Sequence, residues 1–236
     1  MRTMGKEREF YDESRDYYSV LKKEYTDNSR WKQNRVKNVL ELSDIQKADM
    51  ILDLACGVGT FSIESKKQNA KPVGVDFSFL AVKVAKKLFE EHTGEDGFFL
   101  VADARQLPFK SESFDKIICA DFVEHLYPDD YLEVLRECWR VSKKSGSLIV
   151  YTPSRTHIFE VMMKNDFILK KDESHVDIKD MDYILETLEG NRFQVEKKYF
   201  KPSHLRIFKN METILMTLPW LGRFFRRRIC VRARKI

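Results

Sequence analysis

Several features that would identify other classes of protein are scarce in this 236-residue chain. The four cysteines, Cys56, Cys119, Cys138 and Cys230, are widely spaced with no C-x-x-C pair, which argues against a disulfide framework, a zinc site and an iron–sulfur cluster. No apolar run is long enough to span a bilayer, and the run 214–225 is interrupted by a proline and a glycine. The charged N-terminus lacks the apolar segment of a secretory signal. These absences predict a cytoplasmic protein.

The net charge of +5 is unevenly distributed along the chain. Residues 201–236 contain ten Lys and Arg residues and a single acidic residue, Glu212, so the first 200 residues are net negative. Because the excess positive charge lies in the tail alone, a general nucleic-acid coat is not indicated. We therefore expect no DNA partner, and RNA is disfavoured because no aromatic stacking platform accompanies the basic residues.

Short apolar runs alternate with helical periods over more than 150 residues, which favours a mostly parallel sheet covered by helices on both faces. We predict an α/β, doubly wound sheet of seven strands with an antiparallel last strand. The strands are predicted at Met50–Leu54, Pro72–Asp76, Phe98–Ala102, Phe114–Ala120, Ser147–Thr152, Phe193–Phe200 and Arg228–Lys235. Ser78, Asp129 and Asp180 are predicted N-caps, and Gly190 is a predicted left-handed C-cap.

One domain accounts for residues 1–236. Within it we expect an N-terminal helical lid at 1–47 and a cofactor-binding core at 48–155. Insertions at 156–180 and 201–227 are expected on the side of the acceptor.

Acidic residues follow four of the predicted strands, at the sheet edge where open α/β sheets bind ligands. Asp53 precedes the turn that contains Gly57 and Gly59, and Asp76 ends the second strand, where a carboxylate can accept hydrogen bonds from the hydroxyls of a ribose. Asp103 and Asp121 follow the next two strands. A carboxylate at position 53 would repel a pyrophosphate but would suit an ammonium and a sulfonium. Charge therefore favours S-adenosylmethionine over NAD or ATP.

These segments resemble the class I S-adenosylmethionine-dependent methyltransferases, in the small-molecule group that contains the quinone-biosynthesis enzymes. The segments are 51–60 (ILDLACGVGT), 73–78 (VGVDFS), 103–109 (DARQLPF) and 113–115 (SFD), in order and at proper spacing. Ala55 stands where many members have glycine, and Ser62 where a third Gly or Ala is expected in the dinucleotide fingerprint. The resemblance implies S-adenosylmethionine as cofactor.

The resemblance also implies roles for individual residues. Ala55, Gly57 and Gly59 would lie along the methionine end of the cofactor, and Asp53 would organise this loop. Asp76 would hold the ribose, Phe77 would pack on the adenine, Asp103 and Ala104 would contact the adenine, and Asp121 would lie beside the sulfonium.

Two further features bear on the chemistry of transfer. Methyl transfer by direct displacement chiefly requires alignment of the reactants, and His125, His157 and His175 are candidate bases because a histidine pKa suits proton transfer near neutrality. Asp121, Glu124 and His125 would share a face of a helix and form an alternative metal site, although no metal is the favoured prediction.

The acceptor side is the most individual part of the sequence. Between the last two predicted strands, apolar residues precede three consecutive arginines at 226–228. The segment 203–228 could pack on the sheet edge, cover a lipid-like acceptor or lie on an anionic membrane. We therefore predict methyl transfer to a small or lipophilic acceptor by a cytoplasmic enzyme, with a peripheral location at the membrane as the alternative. An RNA-directed methyltransferase, a non-catalytic partner subunit that binds the cofactor, and an NAD-dependent enzyme are the alternatives.

Overall fold

A computed structural model describes residues 23, 29–164, 175–202 and 213–236. The remaining residues, which include most of the predicted lid, part of the first insertion and residues 203–212 of the second, lie outside the described ranges. The seven strands are β1 (Met50–Leu54), β2 (Lys71–Asp76), β3 (Phe98–Val101), β4 (Phe114–Ala120), β5 (Ser142–Pro153), β6 (Phe193–Lys201) and β7 (Arg228–Lys235).

The seven strands form one sheet in the order β3-β2-β1-β4-β5-β7-β6. Pairings among β1 to β5 are parallel, with Leu52 opposite Val73 on one side and Ile117 on the other. Only β7 runs against its neighbours, because it pairs antiparallel with both β5 and β6. The predicted fold class, including the antiparallel last strand, is confirmed. The order places the carboxyl ends of β1, β2, β3 and β4 at one edge of the sheet, where the candidate site lies.

Helices cover both faces of the sheet, which explains why the central strands β1, β4 and β5 contain continuous buried runs rather than an alternating pattern. They are α1 (Arg30–Ser43), α2 (Thr60–Lys67), α3 (Phe79–Thr93), α4 (Pro128–Val141), α5 (Ile158–Lys164) and α6 (Met181–Gly190), with 3₁₀ turns at Val123–His125 and Gly222–Phe225. One core cluster joins Leu52 and Ile117 to Tyr131 of α4. Another joins Ile51 and neighbouring strand residues to α1 and α2 on the other face.

Two predicted N-caps are confirmed, one is wrong, and the last helix ends at Gly190 as predicted but without the predicted left-handed conformation there. The side chains of Ser78 and Asp180 accept hydrogen bonds from backbone N–H groups in the first turns of α3 and α6. Asp129 is not a cap, because Pro128 already occupies the first position of α4, where its missing N–H costs nothing. The left-handed residue after α6 is Arg192, with φ of 64°, rather than Gly190.

The two insertions predicted on the acceptor side are described only in part. Residues 175–180 lead into α6, and residues 213–227 lead through a 3₁₀ turn into β7. Within the described ranges, no helix combines the length and the apolarity needed to cross a bilayer. The division of the chain into lid, core and insertions stays a prediction.

Candidate functional site

The loop after β1 turns sharply, with three residues in the left-handed region. Ala55, Gly57 and Gly59 have φ values of 55°, 52° and 75°. The turn is closed by hydrogen bonds from the Cys56 N–H to the Val75 carbonyl (2.9 Å) and from the Gly59 N–H to the Cys56 carbonyl (2.8 Å). Ala55 thus takes a conformation that costs an L-residue roughly 1–2 kcal/mol, so the methyl group is tolerated at some strain.

Asp76, at the end of β2, fastens this loop. Its Oδ2 accepts a hydrogen bond from the Gly57 N–H at 2.8 Å, and its Oδ1 accepts one from the Ser78 N–H at 2.9 Å. Asp76 is buried but not sealed, being 7% exposed, and the arrangement can receive a diol at the end of the strand. Phe77, the next residue, is half-buried.

Asp53 lies beneath the loop rather than on its surface. It is 2% exposed, and its Oδ2 accepts hydrogen bonds from both the N–H and the hydroxyl of Ser62, each at 2.8 Å. Burial raises the pKa of Asp53 from its ordinary 3.8 to about 7 in spite of these bonds. The argument that its charge repels a pyrophosphate is therefore weak, since the carboxylate is buried and half protonated near neutral pH. Ser62, which the sequence presented only as a departure from a motif, is its direct partner.

Asp103, after β3, is bound by a residue that sequence reasoning missed. The Arg105 guanidinium donates to both oxygens of Asp103 at 2.9–3.2 Å and also to Oδ1 of Asp130 at 2.6 Å. These carboxylates raise the pKa of Arg105 further above its ordinary value. Asp103 and Ala104 are only partly buried. The pair at positions 103 and 105 holds the loop in place and leaves Asp103 within reach of a ligand.

Asp121, after β4, is held by two arginines from opposite ends of the described chain. Arg35 of α1 donates through Nε, and Arg228 of β7 donates through a guanidinium nitrogen at 2.5 Å. Burial acts to raise the pKa of Asp121, but the charges of Arg228 and Arg35 outweigh it and hold the pKa below its ordinary value. Asp121 also has a positive φ of 53°. The carboxylate therefore stays ionised and is fixed in place.

Arg228 corrects the interpretation of the basic segment 203–228. It is 9% exposed and lies over the Tyr151 ring, with its Cζ 5.5 Å from the ring centroid. It therefore belongs to the sheet edge and not to a surface that could meet a membrane. No local pattern distinguishes it from Arg226 and Arg227.

The structure brings Glu124, His125 and His175 together, with one potential ligand atom of each within 4.8 Å of the others. Asp121 is not in this group, because its oxygens accept hydrogen bonds from Arg35 and Arg228. The alternative metal set Asp121, Glu124 and His125 stays a prediction. A carboxylate and two imidazoles could bind a divalent cation. However, Glu124 accepts a hydrogen bond from the Thr152 hydroxyl (2.9 Å), and burial raises its pKa to about 7, so a proton would compete with a cation.

The three candidate bases separate into a pair and an outlier. The rings of His125 and His175 lie 5.2 Å apart in an edge-to-face arrangement, and both residues are partly exposed. His157 is fully buried, and its Nδ1 accepts a hydrogen bond from the Phe159 N–H at 3.2 Å. Burial, together with Arg227 and Arg228, lowers the pKa of His157 to about 3. His157 thus helps to start α5 and is poorly placed to take a proton.

Lys179 is a second residue that sequence reasoning missed. Its ammonium is buried and donates to the carbonyls of Val123, Leu126 and Asp177 at 2.7–2.9 Å. Burial lowers its pKa. The lysine therefore ties the turn that carries Glu124 and His125 to the segment that carries His175. A buried lysine has no sequence signal, since the position reads as a solvated residue before a helix cap.

A cavity of about 460 Å³ opens at the opposite edge of the sheet. It is lined by Met50, Lys71, Pro72, Val73, Phe98, Phe109, Ser113 and Phe114. These residues lie at or near the amino ends of β1 to β4, whereas ligands of open α/β sheets bind beyond the carboxyl ends. The cavity is therefore separate from the candidate site.

Known proteins share both the sequence motifs and the fold. Residues 51–146 match the family described as methyltransferase domain. A demethylmenaquinone methyltransferase of Thermotoga maritima is 31% identical over 144 residues, which cover 59% of this chain and 58% of that protein. An uncharacterized protein of Methanocaldococcus jannaschii is 29% identical over 208 residues, covering 85% of this chain and 73% of that protein.

A solved structure of an S-adenosylmethionine-dependent methyltransferase from Archaeoglobus fulgidus has the same fold. It superimposes with a TM-score of 0.68 at 22% identity, covering 92% of this chain and all of that chain. The chain spans a little over half the length of the demethylmenaquinone methyltransferases it matches. Residues 51–146 thus match a methyltransferase domain, in agreement with the sheet order and the loop motifs, and this match implies S-adenosylmethionine as the cofactor.

Proposed function

We propose that this protein transfers the methyl group of S-adenosylmethionine to a small, lipophilic acceptor of the quinol type. The observation that carries the proposal is the loop of Gly57 and Gly59 fastened to Asp76, at the carboxyl edge of a sheet with the methyltransferase strand order. The likeness to demethylmenaquinone methyltransferases supports the acceptor class.

In this proposal the described residues hold the cofactor along the sheet edge. Asp76, at the carboxyl end of β2, accepts hydrogen bonds from the ribose hydroxyls. Phe77, Asp103 and Ala104 bound the adenine, and the backbone at Ala55, Gly57 and Gly59 follows the methionine end. Asp53 does not contact the cofactor directly in this proposal. Its hydrogen bonds from Ser62 fix the start of α2 and so hold the loop in position.

The chemistry that the cofactor supplies is a methyl group on a positively charged sulfur. Asp121 lies at this edge of the sheet, where Arg228 and Arg35 keep it ionised and hold it in place. Methyl transfer needs a nucleophile in line with the leaving sulfur, so fixed positions matter more than covalent catalysis. His125 and His175 stand at the rim and take the proton of an acceptor hydroxyl, whereas His157 is buried too deeply for this role.

The test is a transfer assay with methyl-labelled S-adenosylmethionine and chemically reduced demethylmenaquinone in detergent. We expect label in the organic extract and an equal amount of S-adenosylhomocysteine. The variant Asp76→Ala should abolish transfer, and Asp96→Ala, at an exposed position after α3, is the matched control. Cofactor binding without transfer to any reduced quinone would contradict the acceptor class. Label in RNA instead would favour the RNA-directed alternative, and binding of NAD alone would overturn the proposal altogether.

A further inference from the structure

The segment from Thr213 to Arg227 exposes large apolar side chains to solvent. Trp220 is 86% exposed, Ile214 69% and Leu221 56%, and Leu218 is also exposed. We call these four residues the C-terminal apolar patch. Contiguous exposed apolar side chains of this size commonly mark an interaction site.

The backbone that presents the patch is closed by its own hydrogen bonds. The Leu218 N–H donates to the Leu215 carbonyl at 3.0 Å, and the Gly222 N–H donates to the Leu218 carbonyl at 3.0 Å. A Cβ at position 222 would lie 2.5 Å from the Met216 carbonyl oxygen, so this turn requires glycine. The apolar side chains are therefore displayed by a tight, hydrogen-bonded turn.

The turn is also anchored to the body of the protein. The Thr156 hydroxyl donates to the Arg223 carbonyl at 3.0 Å, and the Ser154 N–H donates to the Arg227 carbonyl at 2.9 Å. These bonds connect the segment to the residues between β5 and α5, and Ile158, the first residue of α5, is likewise exposed. The next residue, Arg228, reaches Asp121 at the cofactor edge. The patch is thus continuous in the chain with the site.

Positive charge follows the patch along the chain. Residues 213–227 contain Arg223, Arg226 and Arg227 and no acidic residue. Their guanidinium groups lie over the rings of Phe224, Phe200 and Phe159, with Cζ 4.8–5.3 Å from the ring centroids. An exposed tryptophan and aliphatic side chains next to arginines suit the boundary between the headgroups and the acyl chains of an anionic bilayer.

We propose that the C-terminal apolar patch docks this protein on an anionic lipid bilayer. Trp220 and Leu221 enter the interfacial layer, while Arg223, Arg226 and Arg227 meet lipid phosphates. RNA fits the patch less well, because one exposed indole among aliphatic side chains offers no platform for successive bases. Docking goes beyond the proposed function and does not depend on it, since it requires neither cofactor nor acceptor.

The test is co-sedimentation of the full chain with vesicles of phosphatidylcholine alone or with 30% phosphatidylglycerol. We expect binding to the anionic vesicles that weakens at high salt. The double variant Trp220→Ser/Leu221→Ser should reduce the partition coefficient at least tenfold. Phe98→Ser, which changes a 58% exposed side chain at the opposite edge, is the matched control and should bind like the wild type.

A charge variant tests the second half of the proposal. Arg223→Glu/Arg226→Glu should lower binding to anionic vesicles at least tenfold, whereas Arg136→Glu, on an exposed position of α4, should not. Unchanged unfolding curves and cofactor binding would show that the variants fold. The proposal is overturned if the wild type does not bind anionic vesicles, or if the patch variants bind as it does. It is also overturned if the double variant instead abolishes a self-association or an RNA complex. Vesicle binding without quinol methylation would leave docking intact and reject only the acceptor class.

Discussion

The carboxyl edge of the sheet buries charged side chains, whereas the segment 213–227 exposes apolar ones. At the sheet edge the carboxylates of Asp53, Asp76 and Asp121 are wholly or largely buried, and each is bonded to groups of the protein itself. In the segment 213–227, Trp220 and Ile214 face water above a backbone that is hydrogen-bonded. The first region is complete within the chain except for its ligand. The second has an apolar surface that a partner outside the chain would cover.

The two regions therefore contribute differently to the free energy of unfolding. Charges at the sheet edge are desolvated, so their partners are obligatory and removing one leaves a buried charge. Side chains of the patch are already exposed to water in the folded protein, so replacing them should leave the stability of the fold unchanged. Adjacent residues that belong to different regions should therefore respond very differently to the same substitution.

The largest contrast is expected between Arg228 and Arg226, which are two residues apart. Arg228→Met removes a buried partner of Asp121, and we expect the free energy of unfolding to fall by roughly 3 kcal/mol. Arg226→Met loses a contact over the Phe200 ring, worth about 0.5 kcal/mol. Urea denaturation of both variants measures the difference. Similar losses would show that the two regions are not distinct.

The second contrast concerns the cofactor. Asp76→Ala removes the acceptor of the Gly57 N–H and the proposed partner of the ribose, so the affinity for S-adenosylmethionine should fall about 100-fold, corresponding to two charge-assisted hydrogen bonds. Asp76→Asn keeps one acceptor oxygen and should give an intermediate loss. Titration calorimetry measures both. Trp220→Ser should bind the cofactor like the wild type, and an equal loss in that variant would mean that the patch supports the cofactor edge.

A third experiment compares the two glycines of the loop after β1, of which only Gly59 packs closely against neighbouring side chains. A Cβ at Gly59 would lie 3.1 Å from both the Ala85 Cβ and the Phe99 ring, in addition to the strain of φ at 75°. At Gly57 the φ is also positive, but no atom of the described residues lies within 4 Å of an added Cβ. Gly59→Ala should therefore cost about 2 kcal/mol of stability and Gly57→Ala about 1 kcal/mol, without cofactor. Unfolding curves that rank the two variants in the reverse order would contradict this account.

Local sequence patterns were sufficient for most of the fold. All seven strands were predicted, although β5 begins at Ser142, five residues before its predicted start at Ser147. The central strands were found from their apolar runs, because strands covered on both faces need continuous apolar sequence. The errors were at helix ends, where one residue decides the outcome. The helix α4 begins at Pro128, so Asp129 lies inside the helix and not at the predicted cap. After α6, Arg192 rather than Gly190 has the left-handed conformation.

The site was only partly predictable for a different reason. The glycine loop and Asp76 lie within short motifs, so sequence reasoning found them. Arg35 and Arg228, by contrast, reach Asp121 across 86 and 107 residues, and such pairing depends on the folded sheet. The same holds for His175, which joined Glu124 and His125 where the helical spacing had suggested Asp121.

The smallest expected effect is a pH dependence confined to the sheet edge. The pKa of Asp53 is about 7 in the folded protein and near 3.8 when exposed, so the folded state holds its proton to higher pH than the unfolded state. Stability is therefore lost as the pH rises between these two values. From pH 6 to pH 8 the loss from this one group should be about 1 kcal/mol.

The asparagine of Asp53→Asn cannot ionise. Urea denaturation of this variant should therefore show a smaller fall in the free energy of unfolding between pH 6 and pH 8 than the wild type shows. Glu124, whose pKa is also about 7, should leave a remaining slope that Glu124→Gln reduces further. Residues 213–227 contain only arginine among titratable side chains, so variants there should keep the wild-type slope. If Asp53→Asn kept the full slope as well, the carboxylate would already be ionised at pH 6. Its charge would then again count against a pyrophosphate ligand at this edge.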